Sequence, residues 1–166
     1  MKNIKKLQTK PFEIFDDEWA LLTSGDISHH NSMTIAWGGM GTLWHKNVVT
    51  VYVKPCRYTY NFMESNDYFV VSFFDKKYQS ALALMGSISG RDTNKDERSG
   101  LTPIKYKNVT LYKEAKISFI CHKIYFNDLD LKNIPSKEVE RYYKEESPHR
   151  MYVGEVVEII EDSFQK

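Results

Sequence analysis

Short apolar runs separated by turn-forming residues are the dominant pattern along the chain, and such runs are typical of β-strands. β-branched and aromatic residues fill most of the runs, which favours strands over helices. The stretch GGMGTLWHK, residues 38–46, predicts a hairpin connection between the first two runs, and Gly154 predicts a bulge or a close approach in the last one. The runs that predict strands are residues 33–37, 47–53, 67–74, 109–115, 116–126 and 150–160.

Apolar positions spaced three to four residues apart predict helices between several of these strands. Gly86 ends one predicted helix, and Ser136 begins another as its N-cap. Residues 1–10 form a leading arm, and the polar segment 87–103 predicts a functional or flexible loop. The predicted helices span residues 15–22, 57–65, 76–86 and 136–146.

Strands with inserted helices, in no repeating strand–helix–strand order, argue against a parallel sheet with regular crossovers. The order predicts a mainly β fold, in which an antiparallel barrel or open sheet carries helices at its ends. No linker or internal repeat interrupts the 166 residues, a length typical of one compact domain. We therefore expect a single domain over residues 1–166.

Charge and cysteine content narrow the possible functions. A net charge of +1 lacks the basic excess of a nucleic-acid-binding protein. No apolar run approaches the roughly 20 residues that span a bilayer, and the basic N-terminus lacks the apolar core of a signal peptide. Cys56 and Cys121 do not make a disulfide framework. We therefore expect a cytoplasmic protein with reduced thiols, and neither a nucleic-acid partner nor a membrane.

Two segments carry residues that can bind an anion. Arg57 and Thr59 lie at the start of a predicted helix, whose free N–H groups and dipole favour negative charge. The alternative is that Thr59 only caps the helix and Arg57 is a surface charge. The second segment, GSISGRDTNK at residues 86–95, combines hydroxyls, open backbone and a guanidinium, as anion-binding nests do. Its alternative is an ordinary polar connector with internal ion pairs.

The other reactive side chains form no catalytic motif. His29 and His30 are adjacent, and adjacent residues on a strand face opposite sides, so they rarely bind one metal ion together. We interpret them as loop histidines and predict no metal site. Cys56 lies next to Arg57, which can activate a thiol, but a lone cysteine beside arginine is usually inert. His149 precedes the last strand, either as a side chain that leans over a pocket or as a turn residue. The sequence contains no GxGxxG, P-loop or GxSxG motif.

Five segments, taken together and in order, resemble one family. They are MTIAWGGMGTLW, VYVKPCRYTYNF, DYFVVSFF, ALMGSISGRDTNK and HRMYVGEV. Each is a weak motif alone, but their order over residues 12–160 is similar to that of the flavin-reductase-like, FMN-binding split-barrel family, in particular its flavoredoxin-type branch. The resemblance implies an antiparallel split β-barrel homodimer that binds FMN noncovalently near the subunit interface.

The resemblance also implies which residues hold FMN. Residues 33–37 run along the isoalloxazine ring with backbone groups at its polar edge, so we expect Trp37 to touch the flavin and Trp44 to be structural. Arg57 and Thr59 contact the phosphate. The expected cofactor-binding residues are Asn31, Met33, Thr34, Ile35, Ala36, Trp37, Lys54, Pro55, Cys56, Arg57, Tyr58, Thr59, Ser87, Ser89, Gly90, Arg91, Asp92 and Lys95.

Some positions depart from the family pattern. Lys54 stands before Pro55 where an arginine is expected, which keeps the charge but loses the bidentate fork. Lys95 ends the sequence Asp-Thr-Asn-Lys, which lacks the usual Asp-Lys step after the Ser-Gly-Arg-Asp motif. His149 matches a histidine that lies near the pocket and is the candidate catalytic residue.

The implied function is an FMN-dependent oxidoreductase of the flavin reductase-like type, with hydride transfer between NAD(P)H and bound FMN. A flavin carries this chemistry itself, which agrees with the lack of a catalytic triad in the sequence. Two alternatives remain open. The first is an electron carrier that takes electrons from a redox protein, and the second is a flavin-binding module without enzymatic activity.

Overall fold

A computed structural model describes residues 10–161 of the chain, so the predicted leading arm falls almost wholly outside the described residues. The helices are α1 (Pro11–Asp16), α2 (Tyr58–Ser65), α3 (Gln79–Ser87), α4 (Lys95–Ser99) and α5 (Ser136–Tyr142), with 3₁₀ turns at Lys76–Tyr78 and Leu131–Asn133. The strands are β1 (Ala20–Asp26), β2 (His29–Ile35), β3 (Gly38–Leu43), β4 (Lys46–Val53), β5 (Tyr68–Phe74), β6 (Pro103–Tyr106), β7 (Val109–Tyr112), β8 (Ala115–Asp128) and β9 (Arg150–Glu161).

Seven strands form one antiparallel sheet in the order β2-β1-β5-β8-β9-β4-β3, and β6 pairs with β7 in a separate antiparallel hairpin. The pairing of β8 with β9 shifts register between Ile120 and Cys121 and again between Lys123 and Tyr125. Such bulges bend and twist a strand, which helps a sheet to curl. The predicted mainly β, antiparallel fold is confirmed.

The core shows that this sheet is rolled. Leu22 of β1 and Val51 of β4 belong to strands near opposite ends of the strand order, yet both lie in one fully buried cluster with Phe119 of β8. The α1 helix closes the cluster, because the Phe15 ring packs edge-on against Phe73 at a centroid distance of 5.3 Å. The sheet therefore wraps around this cluster and leaves β2 and β3 as its two edge strands.

The predicted helix over residues 15–22 is wrong. The α1 helix ends at Asp16, and β1 begins at Ala20. Every residue from Ala20 to Gly25 is buried, because β1 lies between β2 and β5 with covered faces on both sides. A strand buried on both faces lacks the alternation that distinguishes a strand from a short buried helix.

The predicted hairpin between residues 33–37 and 47–53 is also wrong. The β2 strand ends at Ile35, and the glycine-rich stretch is itself the strand β3, which pairs with β4. The turn between β3 and β4 consists of Trp44 and His45, whose φ angles are 52° and 58°. Two residues with positive φ form a type I′ turn, whose twist matches a hairpin.

Smaller differences concern the helix α4 and the ends of α3 and α5. The predicted loop 87–103 contains α4, whose N-cap Asn94 accepts a hydrogen bond from the Glu97 amide at 3.3 Å. Gly86 lies inside α3 rather than at its end, and Ser136 is the first residue of α5 rather than its cap. The close approach predicted at Gly154 is confirmed, because a Cβ there would lie 2.4 Å from the Phe69 ring.

Candidate functional site

A cleft of about 240 Å³ opens where β2 leaves the sheet. Pairing with β1 ends at Ile35, and Ala36 and Trp37 form the link to β3. Within residues 10–161, β2 pairs with β1 alone, so one side of its backbone is free of strand pairing and can meet the polar edge of a ligand. The cleft is lined by Met33, Thr34, Ile35, Ala36, Trp37, Tyr52, Lys54, Arg57 and His149.

Positive charge concentrates at one side of this cleft. Arg57, at the start of α2, is exposed, and its guanidinium has neither a hydrogen bond nor an ion pair within residues 10–161. It lines the cleft together with His149, and its charge contributes to lowering the pKa of both Lys95 and His149. The Arg91 guanidinium lies 5.0 Å from the Tyr58 ring centroid and donates to the Cys56 carbonyl oxygen at 3.1 Å. An unpaired arginine beside a second cation is suited to bind an anionic group.

Side-chain and backbone contacts fix the segment after α3 beside this charge. A Cβ on Gly90 would lie 2.0 Å from Asn31 Oδ1, so only glycine lets the segment approach β2 so closely. Asn31 Nδ2 in turn donates to Thr59 Oγ1 at 2.7 Å. The structure thus brings three predicted residues from β2, α2 and the polar segment into one packed group. Thr59 is buried and does not serve as the N-cap, which is Arg57.

Lys95 lies behind this group and is almost fully buried. Its ammonium donates to the Ser32 carbonyl oxygen at 2.7 Å. Burial lowers the pKa of Lys95 to about 8, against an opposing contribution from Asp96 and with a smaller lowering by Arg57. A charged amine that has lost most of its water is stabilised by any anion that reaches it.

Sequence reasoning missed the polar network around Lys95. The Asp96 carboxylate accepts a hydrogen bond from the Tyr112 hydroxyl at 2.6 Å and lies 3.0 Å from His30 Nε2. Burial acts to raise the pKa of Asp96, but the hydrogen bonds from His30 and Tyr112 lower it overall. His30 is therefore a strand residue paired with a carboxylate, and not the loop histidine that we expected. In the sequence, Lys95 and Asp96 are adjacent charged residues inside a polar segment, and this pattern does not predict burial.

Aromatic rings form the other side of the cleft. The Trp37 ring lies 5.2 Å from the His149 ring, and Tyr142 of α5 packs edge-on against Trp37 at the same centroid distance. The Tyr143 hydroxyl and His149 Nδ1 share a hydrogen bond of 3.0 Å. Burial, with Lys54 and Arg57 nearby, lowers the pKa of His149 to about 4, so the imidazole is neutral at pH 7.

Lys54 lies between the cationic and the aromatic sides of the cleft, but its hydrogen bonds are made on the aromatic side. Its ammonium donates to the Tyr142 carbonyl oxygen at 3.0 Å and pairs with the Glu146 carboxylate. It also lies 5.5 Å from the centroid of the Tyr143 ring. Lys54 lines the cleft, yet its charge is already paired with Glu146 in this structure.

Other predicted residues lie away from the cleft lining or in unexpected places. Cys56 is exposed, as is Asp92, and the Ser87 hydroxyl bonds back to the Leu84 carbonyl oxygen of its own helix. Ser89 Oγ accepts from the Arg91 amide at 3.2 Å and so shapes the segment locally. Trp44, which we expected to be structural, is 63% exposed in the β3–β4 turn and belongs to none of the core clusters formed by the described residues.

Two kinds of feature are absent from the described part of the chain. Within residues 10–161, no group of three or more His, Cys, Asp and Glu side chains is arranged to hold a metal ion. None of the helices in that range is both long and apolar enough to cross a membrane.

A rolled antiparallel sheet with a cleft at an edge strand, one cationic side and one aromatic side defines a β-barrel built to bind a flat anionic ligand. A family profile described as "Flavin reductase like domain" matches residues 15–166. The chain therefore belongs to the flavin reductase-like family, which confirms the resemblance found in the sequence.

Solved structures agree with this assignment. The flavoredoxin of Desulfovibrio vulgaris (Miyazaki F) is 18% identical with a TM-score of 0.69, over 98% of this chain and 78% of that one. Flavoredoxin from Methanosarcina acetivorans is 15% identical with a TM-score of 0.69, over 98% and 75%. An FMN-binding domain of a flavin reductase-like enzyme from Shewanella baltica is 16% identical with a TM-score of 0.67, over 92% and 73%. At these identities the likeness shows the fold. A search of curated proteins found no match.

The residues of the cleft fit the FMN that the family implies. The unpaired guanidinium of Arg57 is suited to the phosphate, and Gly90 allows the polar segment to approach the same place. The edge of β2 that pairs with no other strand of the sheet offers backbone groups at residues 33–35 to the flavin ring, and Trp37 offers a flat apolar face. The cleft thus combines the three kinds of contact that a flavin mononucleotide needs.

Proposed function

We propose that this protein is an FMN-dependent oxidoreductase of the flavin reductase-like type that accepts hydride from NAD(P)H. The observation that carries the proposal is the cleft beside β2, where an unpaired arginine and an aromatic wall flank the edge of the sheet. Bound FMN would supply the hydride chemistry, as flavins do in other oxidoreductases.

The residues of this chain have separate roles in the proposal. Arg57 binds the phosphate together with the segment around Arg91, and the buried Thr59 helps through its hydrogen bond with Asn31. Backbone groups of residues 33–37 hold the polar edge of the ring, where hydrogen-bond donors favour the negative charge of the reduced cofactor. His149 is neutral at pH 7 and lies in the cleft, so it offers a hydrogen bond rather than a charge.

The single most informative experiment is an absorbance spectrum of the purified protein, before and after anaerobic addition of NADH or NADPH. We expect the purified protein to be yellow, or to bind FMN when FMN is added. We also expect NADH or NADPH to bleach the absorbance of the bound flavin. A protein that fails to bind added FMN would overturn the proposal.

A second candidate is an electron carrier that takes electrons from a redox protein. The observation in its favour is the fold shared with two flavoredoxins. FMN binding without bleaching by NADH or NADPH, but with reduction by a protein donor, would favour the carrier. If the FMN-loaded protein shows neither bleaching nor turnover with ferricyanide, the protein is a flavin-binding module without enzymatic activity.

The proposed assembly is a homodimer with the flavin near the subunit interface, formed by one domain per chain. The exposed aromatic side chains of Tyr125 and Phe126, which face opposite sides of β8, support it, since they leave apolar surface that a partner would cover. Analytical ultracentrifugation would test the dimer. A monomer with full flavin affinity would contradict a site built across the interface.

A further inference from the structure

Lys95 and Asp96 are adjacent at the start of α4, yet their opposite charges do not pair with each other. The Lys95 ammonium donates to the Ser32 carbonyl oxygen of β2, and Lys95 is only 7% exposed. Asp96 lines an open groove of about 630 Å³, and Lys95 is not part of the lining. Within residues 10–161, the ion-pair partner of Asp96 is His30. The structure therefore holds a carboxylate away from the buried cation that is next to it in the chain.

Two hydrogen bonds fix the Asp96 carboxylate at this groove. The Tyr112 hydroxyl donates to one carboxylate oxygen at 2.6 Å, and His30 Nε2 lies 3.0 Å from the other. Burial acts to raise the pKa of Asp96, but these two hydrogen bonds lower it overall, so the carboxylate is ionised at pH 7. An ionised carboxylate only accepts hydrogen bonds, so His30 Nε2 carries a proton in this pair.

Tyr112 is itself held in place by the sheet. Its hydroxyl lies 2.9 Å from Ser32 Oγ, which lies 2.8 Å from Thr23 Oγ1, and all three residues are buried. Because the Tyr112 hydroxyl donates to Asp96, it accepts from Ser32, which accepts from Thr23 in turn. Hydrogen bonds aligned in this way strengthen one another. The position of the carboxylate is therefore set by β1, β2 and β7 as well as by α4.

The Lys95 ammonium lies near the residues that carry the cationic side of the cleft. The Ser32 carbonyl oxygen is 2.7 Å from the Lys95 ammonium and 3.5 Å from Asn31 Nδ2. Asn31 Nδ2 donates to Thr59 Oγ1, and Asn31 Oδ1 is where Gly90 comes close to β2. Water screens a carboxylate at an open groove well, but it screens a buried ammonium poorly. Separating the two charges therefore leaves a positive potential on this side of α4.

We propose that Tyr112 and His30 are positioning residues that keep the Asp96 carboxylate from pairing with Lys95, so that the buried ammonium stays available to attract the phosphate of FMN. A lysine ammonium has three N–H donors, and within the described part of the chain the Ser32 carbonyl oxygen is the acceptor for one of them. A carboxylate released from Tyr112 or His30 would compete with the phosphate for this charge. The inference rests on the proposed function, because the phosphate belongs to the FMN of that proposal.

The change Tyr112→Phe tests the first positioning residue. The ring stays in the core beside Phe74, and one oxygen of Asp96 loses its donor. We expect FMN to bind roughly 3- to 10-fold more weakly, since the freed carboxylate neutralises part of a buried charge. Riboflavin lacks the phosphate, so its affinity in the same fluorescence titration should stay unchanged. Tyr106→Phe on β6 removes a tyrosine hydroxyl from the Glu158 carboxylate and is the matched control that should change neither affinity.

A double variant tests whether the freed charge causes the loss. Tyr112→Phe combined with Asp96→Asn has no carboxylate at position 96 that could pair with Lys95, so the affinity for FMN should return toward that of the unaltered protein. If the hydroxyl only stabilised the fold, the double variant would bind FMN no better than Tyr112→Phe alone. His30→Phe removes the other hydrogen-bonding partner of the carboxylate, and we expect the same loss and the same rescue by Asp96→Asn.

A measurement without FMN tests the separation of charge directly. Burial lowers the pKa of Lys95 to about 8, Asp96 opposes this shift, and Arg57 adds to it. The pKa would be read from an NMR titration of the Lys95 Cε resonance, which Lys95→Arg assigns. It should rise in Tyr112→Phe, because a carboxylate that approaches the ammonium favours its charged form. It should fall in Asp96→Asn, where that carboxylate is absent.

The outcomes separate this inference from the proposed function. Equal losses of FMN and riboflavin affinity in Tyr112→Phe, no rescue by Asp96→Asn, or a Lys95 titration unchanged by Tyr112→Phe would each overturn the inference. Failure of the unaltered protein to bind FMN would overturn the proposed function instead. In that case the titrations of Lys95 still decide whether Tyr112 keeps Asp96 away from the ammonium.

Discussion

The two sides of the cleft differ in how they are anchored, and a lysine shows the difference on each. On the cationic side, Lys95 is buried and bonded to the Ser32 carbonyl oxygen, within a network that reaches into the sheet. On the aromatic side, Lys54 is bonded to the Tyr142 carbonyl oxygen and paired with Glu146, whose side chain is 49% exposed. One lysine is part of the packed interior, and the other ties a surface helix to it.

This difference separates two tasks of a cofactor-dependent site. A side built on core packing is held in place before any ligand arrives, which suits a cofactor that stays bound. A side held by a surface contact can adjust at low cost, which suits substrates that enter and leave. Substitutions on each side of the cleft test this division.

Arg57→Ala should weaken FMN binding by about 1.5–3 kcal/mol, the scale of a charge-assisted hydrogen bond to phosphate. Fluorescence titration of FMN would measure the change. Riboflavin lacks the phosphate and is the matched ligand, so its affinity should change much less. Equal losses for both ligands would refute the phosphate role of Arg57.

Lys95→Met should lower the free energy of unfolding by about 1.5–3 kcal/mol, because the Ser32 carbonyl oxygen loses a charged donor in a buried place. Urea denaturation would measure it. Lys105→Met, at an exposed position of β6, is the control for the loss of a positive charge. An unfolding free energy unchanged by Lys95→Met would place this lysine outside the packed interior.

His149 should make the protein less stable in mild acid. Burial and the nearby cations lower its pKa from 6.5 to about 4, so between these values the unfolded chain binds a proton that the folded chain does not. The free energy of unfolding should therefore fall as the pH decreases from 6.5 to about 4. His149→Gln should remove this part of the pH dependence, and the imidazole resonances in NMR should titrate near pH 4. A titration near pH 6.5 would contradict the buried, cation-flanked position.

Lys54→Met should change the free energy of unfolding least, by about 0–1 kcal/mol, because its partner Glu146 is half exposed and such pairs contribute little. Urea denaturation beside Lys95→Met gives the direct comparison. A loss as large as that of Lys95→Met would break the proposed division between a packed side and an adjustable side.

The sequence allowed prediction where local patterns and core packing agree. The run at residues 67–74 predicted β5, which is buried throughout except at Tyr68, and the predicted helix over 57–65 is α2 with a one-residue shift. The α4 helix was missed although Asn94, followed three residues later by Glu97, is a recognisable start signal. The β1 strand was missed because its residues are buried on both faces and show no period.

The site shows the same limit. Arg57, Thr59 and the Ser-Gly-Arg segment were identified from residue types that bind anions and from their order along the chain, although whether they hold FMN stays a prediction. The network of Lys95, Asp96 and Tyr112 could not be found in this way. Lys95 and Asp96 lie in a polar segment whose composition is typical of exposed residues, and Tyr112 lies 16 residues beyond Asp96. Nothing in the sequence linked Lys54 with α5, because 88 residues separate Lys54 from its acceptor Tyr142.

The sequence by itself determined the class of fold, the family and the residue types available for a flat anionic cofactor. These depend on local patterns and on motifs in a fixed order, and both are written along the chain. Only the tertiary structure decided that Lys95 is buried, that Trp44 is exposed and that Lys54 holds α5 rather than a free anion. Burial and pairing are set by which strands become neighbours when the sheet rolls, and that choice depends on contacts between residues far apart in the chain.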